Sequence, residues 1–237
     1  MIHELFRNMM TASVILLILL SGKISYAEDY QYQYFADEEG EKETYVPFSD
    51  YIPRVRKHYN TVPHNVEDYY RLYGMKQHYN ENSLKKNILM LKTALNARFR
   101  HPIEALCDIQ SEEEYYKYRN LMFMHINILI MRNYMKVAVR YDKREIRFYD
   151  RDFGEHLDES LRIAEEMYAE ALPYWEEARR YARAASTVKI TLDLGTIESE
   201  RFSIMTGELD YGRIIRGHME NTRRKRDQLA GFMDDYQ

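Results

Sequence analysis

The chain has 237 residues, 45% hydrophobic and 30% charged, a balance that supplies a core and excludes overall disorder. Its 34 Lys and Arg against 38 Asp and Glu leave a net charge of −4, which argues against a nucleic-acid partner. Nine Gly and five Pro speak against collagen-like and turn-rich all-β classes, and the single Cys107 excludes a disulfide scaffold; the unusual counts are 22 Tyr and 13 Met beside one Trp.

Arg7 precedes an apolar run from Thr11 to Leu20, and Ser21-Gly22 breaks the run before Ser25-Tyr26-Ala27, where small residues stand first and third. That run of about 10 residues is half the roughly 20 that a membrane-spanning helix needs. Residues 1–27 therefore read as a signal peptide cleaved before Glu28, which would leave a periplasmic protein with no stable membrane anchor. An uncleaved signal-anchor is the competing reading. Cys107, between Leu106 and Ile109, reads as a buried small hydrophobe rather than a reactive thiol.

Residues 28–64 form an acidic arm in this reading. Seven acids stand between Glu28 and Glu43 against Lys42, so the segment cannot build a core. Tyr30, Tyr32 and Tyr34 alternate with polar residues and would share one side of an extended chain. Both a disordered tail and a strand-like arm laying three rings on a partner fit this pattern. Pro47, Pro53 and Pro63 keep the following stretch irregular, and the folded body, residues 65–237, begins near Asn65.

From there the periodicity is helical. Asn65 is placed to cap a segment through Tyr73, with Gly74 at its end. Ser83 opens a second helix, on which Leu84, Ile88, Leu91 and Leu95 share a face; His101-Pro102 stops it. Ser111 and Glu114 form a capping box for a segment that could reach Asp150. Its Leu121, Met124, Ile128, Met131, Met135 and Ala138 make one apolar stripe, and Met122, Ile126, Leu129 and Val137 a second beside it, so this helix should be packed on more than one side. Leu157, Leu161, Ala164, Tyr168, Ala171, Trp175, Ala178, Ala182 and Ala185 then step by four and three without a miss, which is a heptad seam. The two segments are expected to form an antiparallel hairpin turning near Phe153-Gly154, with Pro173 kinking or restarting the second. A last helical region runs from Thr187 to Phe232, interrupted by Gly195, Gly207, Gly212 and Gly217, some of them breaks or close-contact points. No second copy of a 34-residue helical repeat accompanies Tyr168, Ala178 and Ala182. The fold class read from these elements is all-α: an elongated antiparallel bundle of long helices with a Tyr-rich irregular amino-terminal arm.

The search for chemistry finds little. No two of the eight His lie three or four apart, as a helical metal clamp requires, and His125 reads as a core histidine bonded to a carbonyl. The turn from Asp150 to Glu159 begins like a calcium loop but has Leu161 at the twelfth position. Nucleophile elbows, phosphate-cradling glycine loops and thiol-protease pairs are missing from the sequence, so no catalytic residue, metal or cofactor is assigned and an enzyme is not expected. A hydrolase using the acids between Asp150 and Glu159 is the weakest alternative. Interfaces concentrate Tyr and Arg, because rings bring area at low entropic cost and guanidinium tolerates a wet rim. The residues singled out for partner binding are Tyr30, Tyr32, Tyr34, Tyr69, Tyr70, Tyr73, Tyr115, Tyr116, Arg140, Arg144, Arg147, Arg223, Arg224 and Arg226. The basic stripe Arg140, Lys143, Arg144, Arg147 and Arg151 could also receive the acidic arm of a neighbouring copy.

The stretch from Ile197-Glu198-Ser199-Glu200-Arg201-Phe202 through Gly207-Glu208-Leu209-Asp210-Tyr211-Gly212-Arg213-Ile214-Ile215, with the exported tyrosine-rich helical body, resembles the helical periplasmic proteins of the spirochaete flagellar apparatus. Motor-collar components and flagellar-coiling sheath proteins are both of this kind. The resemblance implies a non-enzymatic structural or adaptor part in motility, assembling with other periplasmic or flagellar proteins or with copies of itself. The alternative is a periplasmic binding or chaperone module that holds an apolar ligand between helices at Met122, Met124, Met131 and Met135.

Overall fold

A computed structural model describes residues 63–146 and 151–234. The arm and its Tyr30, Tyr32 and Tyr34, like the predicted signal, lie outside these described residues. Among the described residues there are six α-helices: α1 (Val66–Tyr69), α2 (Glu81–Ala94), α3 (Glu112–Tyr141), α4 (Arg151–Ala185), α5 (Thr196–Thr206) and α6 (Tyr211–Asp234). A π turn over Tyr70–Gly74 extends α1, and a 3-10 turn covers Pro102–Glu104. The protein is an all-α bundle.

Helices α3 and α4 form the antiparallel hairpin that their stripes predict. Phe123 meets Tyr181 at 5.2 Å and Tyr134 stacks on Tyr174 at 5.8 Å, so numbers rise along one helix as they fall along the other. All nine residues of the α4 seam, from Leu157 to Ala185, are buried. Five of them are alanines, which let the neighbouring backbones come close. Helix α3 is covered on several sides: Leu121, Met122, Met124, Ile126, Ile128, Ile130 and Met131 are completely buried. Helix α6 runs antiparallel to α4, with Tyr211 against Trp175 and His218 stacked on Tyr168. Helix α2 lies along α3, tied by Lys92 to the Tyr134 hydroxyl and by the Tyr141 hydroxyl to Glu81.

Several expected boundaries move, each for a local reason. The hairpin turn is not at Phe153-Gly154, which lie in the first turn of α4, and the preceding helix stops at Tyr141 instead of reaching Asp150. Asp142 leaves the helical region at ψ 92° and its carboxylate takes the Lys225 ammonium and the Tyr168 hydroxyl, so contacts distant in sequence end α3. Its 30 residues therefore run for about 45 Å rather than 60 Å. The calcium-loop likeness disappears with the turn, because residues 151–159 are helical. Helix α4 is continuous through Pro173; both Pro173 and Ala169, whose carbonyl loses its donor, are exposed, so water can replace the bond.

Helix α2 starts at Glu81, two residues before Ser83, because the Asn80 side chain accepts from the Asn82 N–H at 2.9 Å. It ends at Ala94, where the N–H groups of Leu95, Asn96 and Ala97 bond three residues back, and Arg98 then enters extended pairing, its carbonyl accepting from the Val66 N–H at 3.0 Å. Asn65 stands at the start of α1 without capping it, its amide donating to Asp68 instead. Half of the predicted capping box forms: Ser111 accepts from the Glu114 N–H at 3.1 Å, while the Glu114 carboxylate accepts from the Gln110 N–H rather than that of Ser111. In the last region Gly195 (φ 45°) and Gly207 (φ 79°) are the breaks. Gly212 is the close-contact point: a Cβ there would lie 2.7 Å from Trp175 Nε1.

Candidate functional site

Three α3 residues carry basic side chains toward α5. Lys117, His125 and Arg132 are spaced by eight and seven, so they share the face that meets α5. Lys117 is almost completely buried; its ammonium is 2.8 Å from Glu198 and donates to the Ile190 carbonyl. Glu198 also accepts from Arg201 at 2.6 Å and from the Leu192 N–H. Eight residues further along α3, His125 is bonded to the Glu200 carboxylate at 2.6 Å, not to a carbonyl as the sequence reading had it. The other Glu200 oxygen takes Arg132 at 2.7 Å, and Arg132 also donates to the Tyr211 hydroxyl.

Burial raises the Glu198 carboxyl pKa, but bonds from Lys117, Arg201 and the Leu192 amide outweigh it and hold the group below the usual range. Glu200 behaves likewise: burial pushes it up, and the His125 bond with the His125 and Arg132 charges brings it below the ordinary value. A third buried carboxylate, Glu67, accepts from the Tyr118 hydroxyl at 3.0 Å and the Arg100 N–H at 3.1 Å. Burial drives Cys107 up to about 11, with Asp108 and further acids adding to the shift, so its thiol stays protonated near neutrality.

A His–carboxylate pair is the geometry of an oriented general base. Here the imidazole packs edge-on to the Tyr70 ring at 5.4 Å, and neither His125 nor Glu200 lines the surface grooves described below. The arrangement fixes how α5 sits on α3. No group of three metal-ligating side chains occurs among the described residues. No helix among them is long and apolar enough to cross a membrane.

Two of the surface concavities contrast in character. A cleft of about 640 Å³ between the start of α4 and the end of α6 is lined by Glu155, Asp158, Glu159 and Asp227, beside Arg223 and Arg226. An apolar groove of about 320 Å³ between the segment before α2 and helix α3 is lined by His78, Tyr79, Leu84, Met135, Lys136 and Val139. Tyr79 is 73% and Val139 58% exposed, while Leu84 forms the buried floor.

The residues singled out from sequence for partner binding are scattered. Tyr69 is in the core beside Tyr73, and Tyr70 is the ring against His125. Tyr115 stacks on Tyr118 and donates to the Arg100 carbonyl, whereas Tyr116 is half exposed beside a third groove, of about 500 Å³, with Glu112 and Ile190. Arg223 and Arg226 pair with Glu165 and Asp158 on α4, leaving Arg224 to the surface, where it donates to Asn221. Arg140 is exposed and donates to the Tyr79 carbonyl at 3.0 Å, and Arg144 is exposed. Arg147 lies outside the described residues. Sequence reasoning missed Lys117, Glu67, Glu198 and Glu200 as buried charges. Lys117 was findable, because it stands four before Leu121 on the apolar stripe.

Fold and surface thus define a helical bundle whose interior charges are paired with one another and whose apolar concavity opens to solvent. Residues 113–232, which cover α3 to α6 nearly end to end, match the family described as a domain of unknown function, DUF8513, and the chain belongs to that family. No curated protein and no solved structure matches it.

Proposed function

We propose that this chain is a non-enzymatic, exported structural or adaptor protein that assembles with other proteins through an exposed face of its bundle. The observation that supports this reading is the groove at Tyr79 and Val139, where large apolar side chains are open to solvent beside cations, while the His–carboxylate pair is spent on internal packing. The resemblance to spirochaete flagellar proteins adds the setting, a periplasmic part of the motility apparatus. The apolar-ligand alternative has less support, because Met122, Met124 and Met131 are completely buried in the packed core and only Met135 reaches a groove.

The test is recovery of the tagged protein from its own cell envelope, with a Tyr79→Glu/Val139→Glu variant in parallel. Both side chains are exposed, so the variant should keep its helical circular dichroism. The expected result is a defined protein set that the wild type retains and the variant loses. Equal recovery by both forms would sink the proposal.

A further inference from the structure

The floor of the apolar groove is Leu84 and Met135, and its walls are Tyr79 and Val139. Cations gather around it. Lys136 lies 6.0 Å from the Tyr79 ring centre, and Arg140, one turn on, holds the Tyr79 carbonyl. His78 sits below the ordinary imidazole range, through burial first and then the charges of Lys76, Lys136 and Lys86. The nearby carboxylate of Glu81 is already engaged, by Lys85 at 2.7 Å and by the Tyr141 hydroxyl at 2.8 Å. His78 lines the groove, and its buried Nε2 has no hydrogen-bond partner among the described residues.

An apolar floor and a cationic rim together suit an acidic segment that carries aromatic rings. The most acidic such segment in the sequence is Glu28 to Glu43, with seven acids against Lys42 and Tyr30, Tyr32 and Tyr34 on alternate positions. We propose that the groove at His78, Tyr79, Met135 and Val139 receives residues 28–43 of a second copy of this chain, a ring entering the groove and the acids meeting Lys76, Lys136 and Arg140. This rests on the assembly reading above and names one partner for it. Charge complementarity would steer the encounter and the ring would supply the contact area.

The test uses the chain from Glu28 onward in two differently tagged forms, one bearing a photo-reactive benzoylphenylalanine at position 139. After mixing and irradiation, mass spectrometry locates the adduct and the tags show whether it joins two copies. The expected product links position 139 to residues 28–43 of the other form. Its yield should fall at least tenfold at 1 M salt, where screening shortens to about 3 Å, and in a Lys136→Glu/Arg140→Glu variant that keeps its helicity. An adduct only within one chain, an adduct to another segment, or no adduct between copies would overturn the inference. Envelope recovery that still depends on Tyr79 and Val139 would then leave the assembly reading standing with a different partner; loss of that dependence as well would end both.

Discussion

Buried charge is the feature that a reading by residue type handles worst. Lysine is almost never fully buried without a partner, and Lys117 obtains Glu198 and a carbonyl to make burial tolerable. Removing one member strands the other. Glu198→Ala is expected to destabilise the fold by about 3–5 kcal/mol in urea titration, and Lys117→Met/Glu198→Ala by clearly less than the sum of the single changes. A double-mutant cycle that is additive would show that the pair is not coupled.

The same carboxylates set a pH dependence. Glu198 and Glu200 titrate below the ordinary glutamate range in the folded protein, so the stability they bring is complete above that range and is lost as pH falls through their depressed values. Thermal midpoints should decline below about pH 4.5. Glu198→Gln/Glu200→Gln, less stable near neutrality, should show a shallower decline; an unchanged slope would place the acid sensitivity elsewhere. The sequence showed His125 in an apolar stripe but not its acceptor, because Glu200 is 75 residues away and only the docking of α5 brings it near.

Where a helix carries one uninterrupted seam, its buried face was legible in advance. All nine seam residues of α4 are buried because a step of four and three leaves only one face that can be covered. The ends of helices were less legible. α3 ends at Tyr141, followed by Asp142, which answers to Lys225 and Tyr168, and Arg98, four residues past the end of α2, accepts from the Val66 N–H. Local propensity contains neither signal.

The glycines of α6 separate two reasons for one residue type. A methyl group at Gly212 would meet Trp175, whereas one at Gly217 meets nothing within 4 Å. Gly217→Ala should therefore stabilise by up to about 1 kcal/mol, and Gly212→Ala should destabilise by about 1–3 kcal/mol through forced repacking of the indole. Paired thermal melts check the contrast, and equal shifts of the same sign would contradict it.

For the molecule as a whole, the family match and the candidate surface divide the chain unevenly. The family model covers the hairpin, α5 and α6, and therefore the buried Lys117–Glu198 and His125–Glu200 pairs. His78, Tyr79 and Leu84 precede it, so the groove joins an α3 inside the matched region to a segment outside it. The groove was not legible from composition, since it depends on which side of α3 the segment before α2 covers.

In-cell photo-cross-linking from position 139, with Ala169 on the exposed side of α4 as the reference position, addresses the assembly claim without purification. The account predicts a discrete protein adduct from position 139 and none from position 169. Adducts of equal yield from both positions, or none from 139, would contradict it.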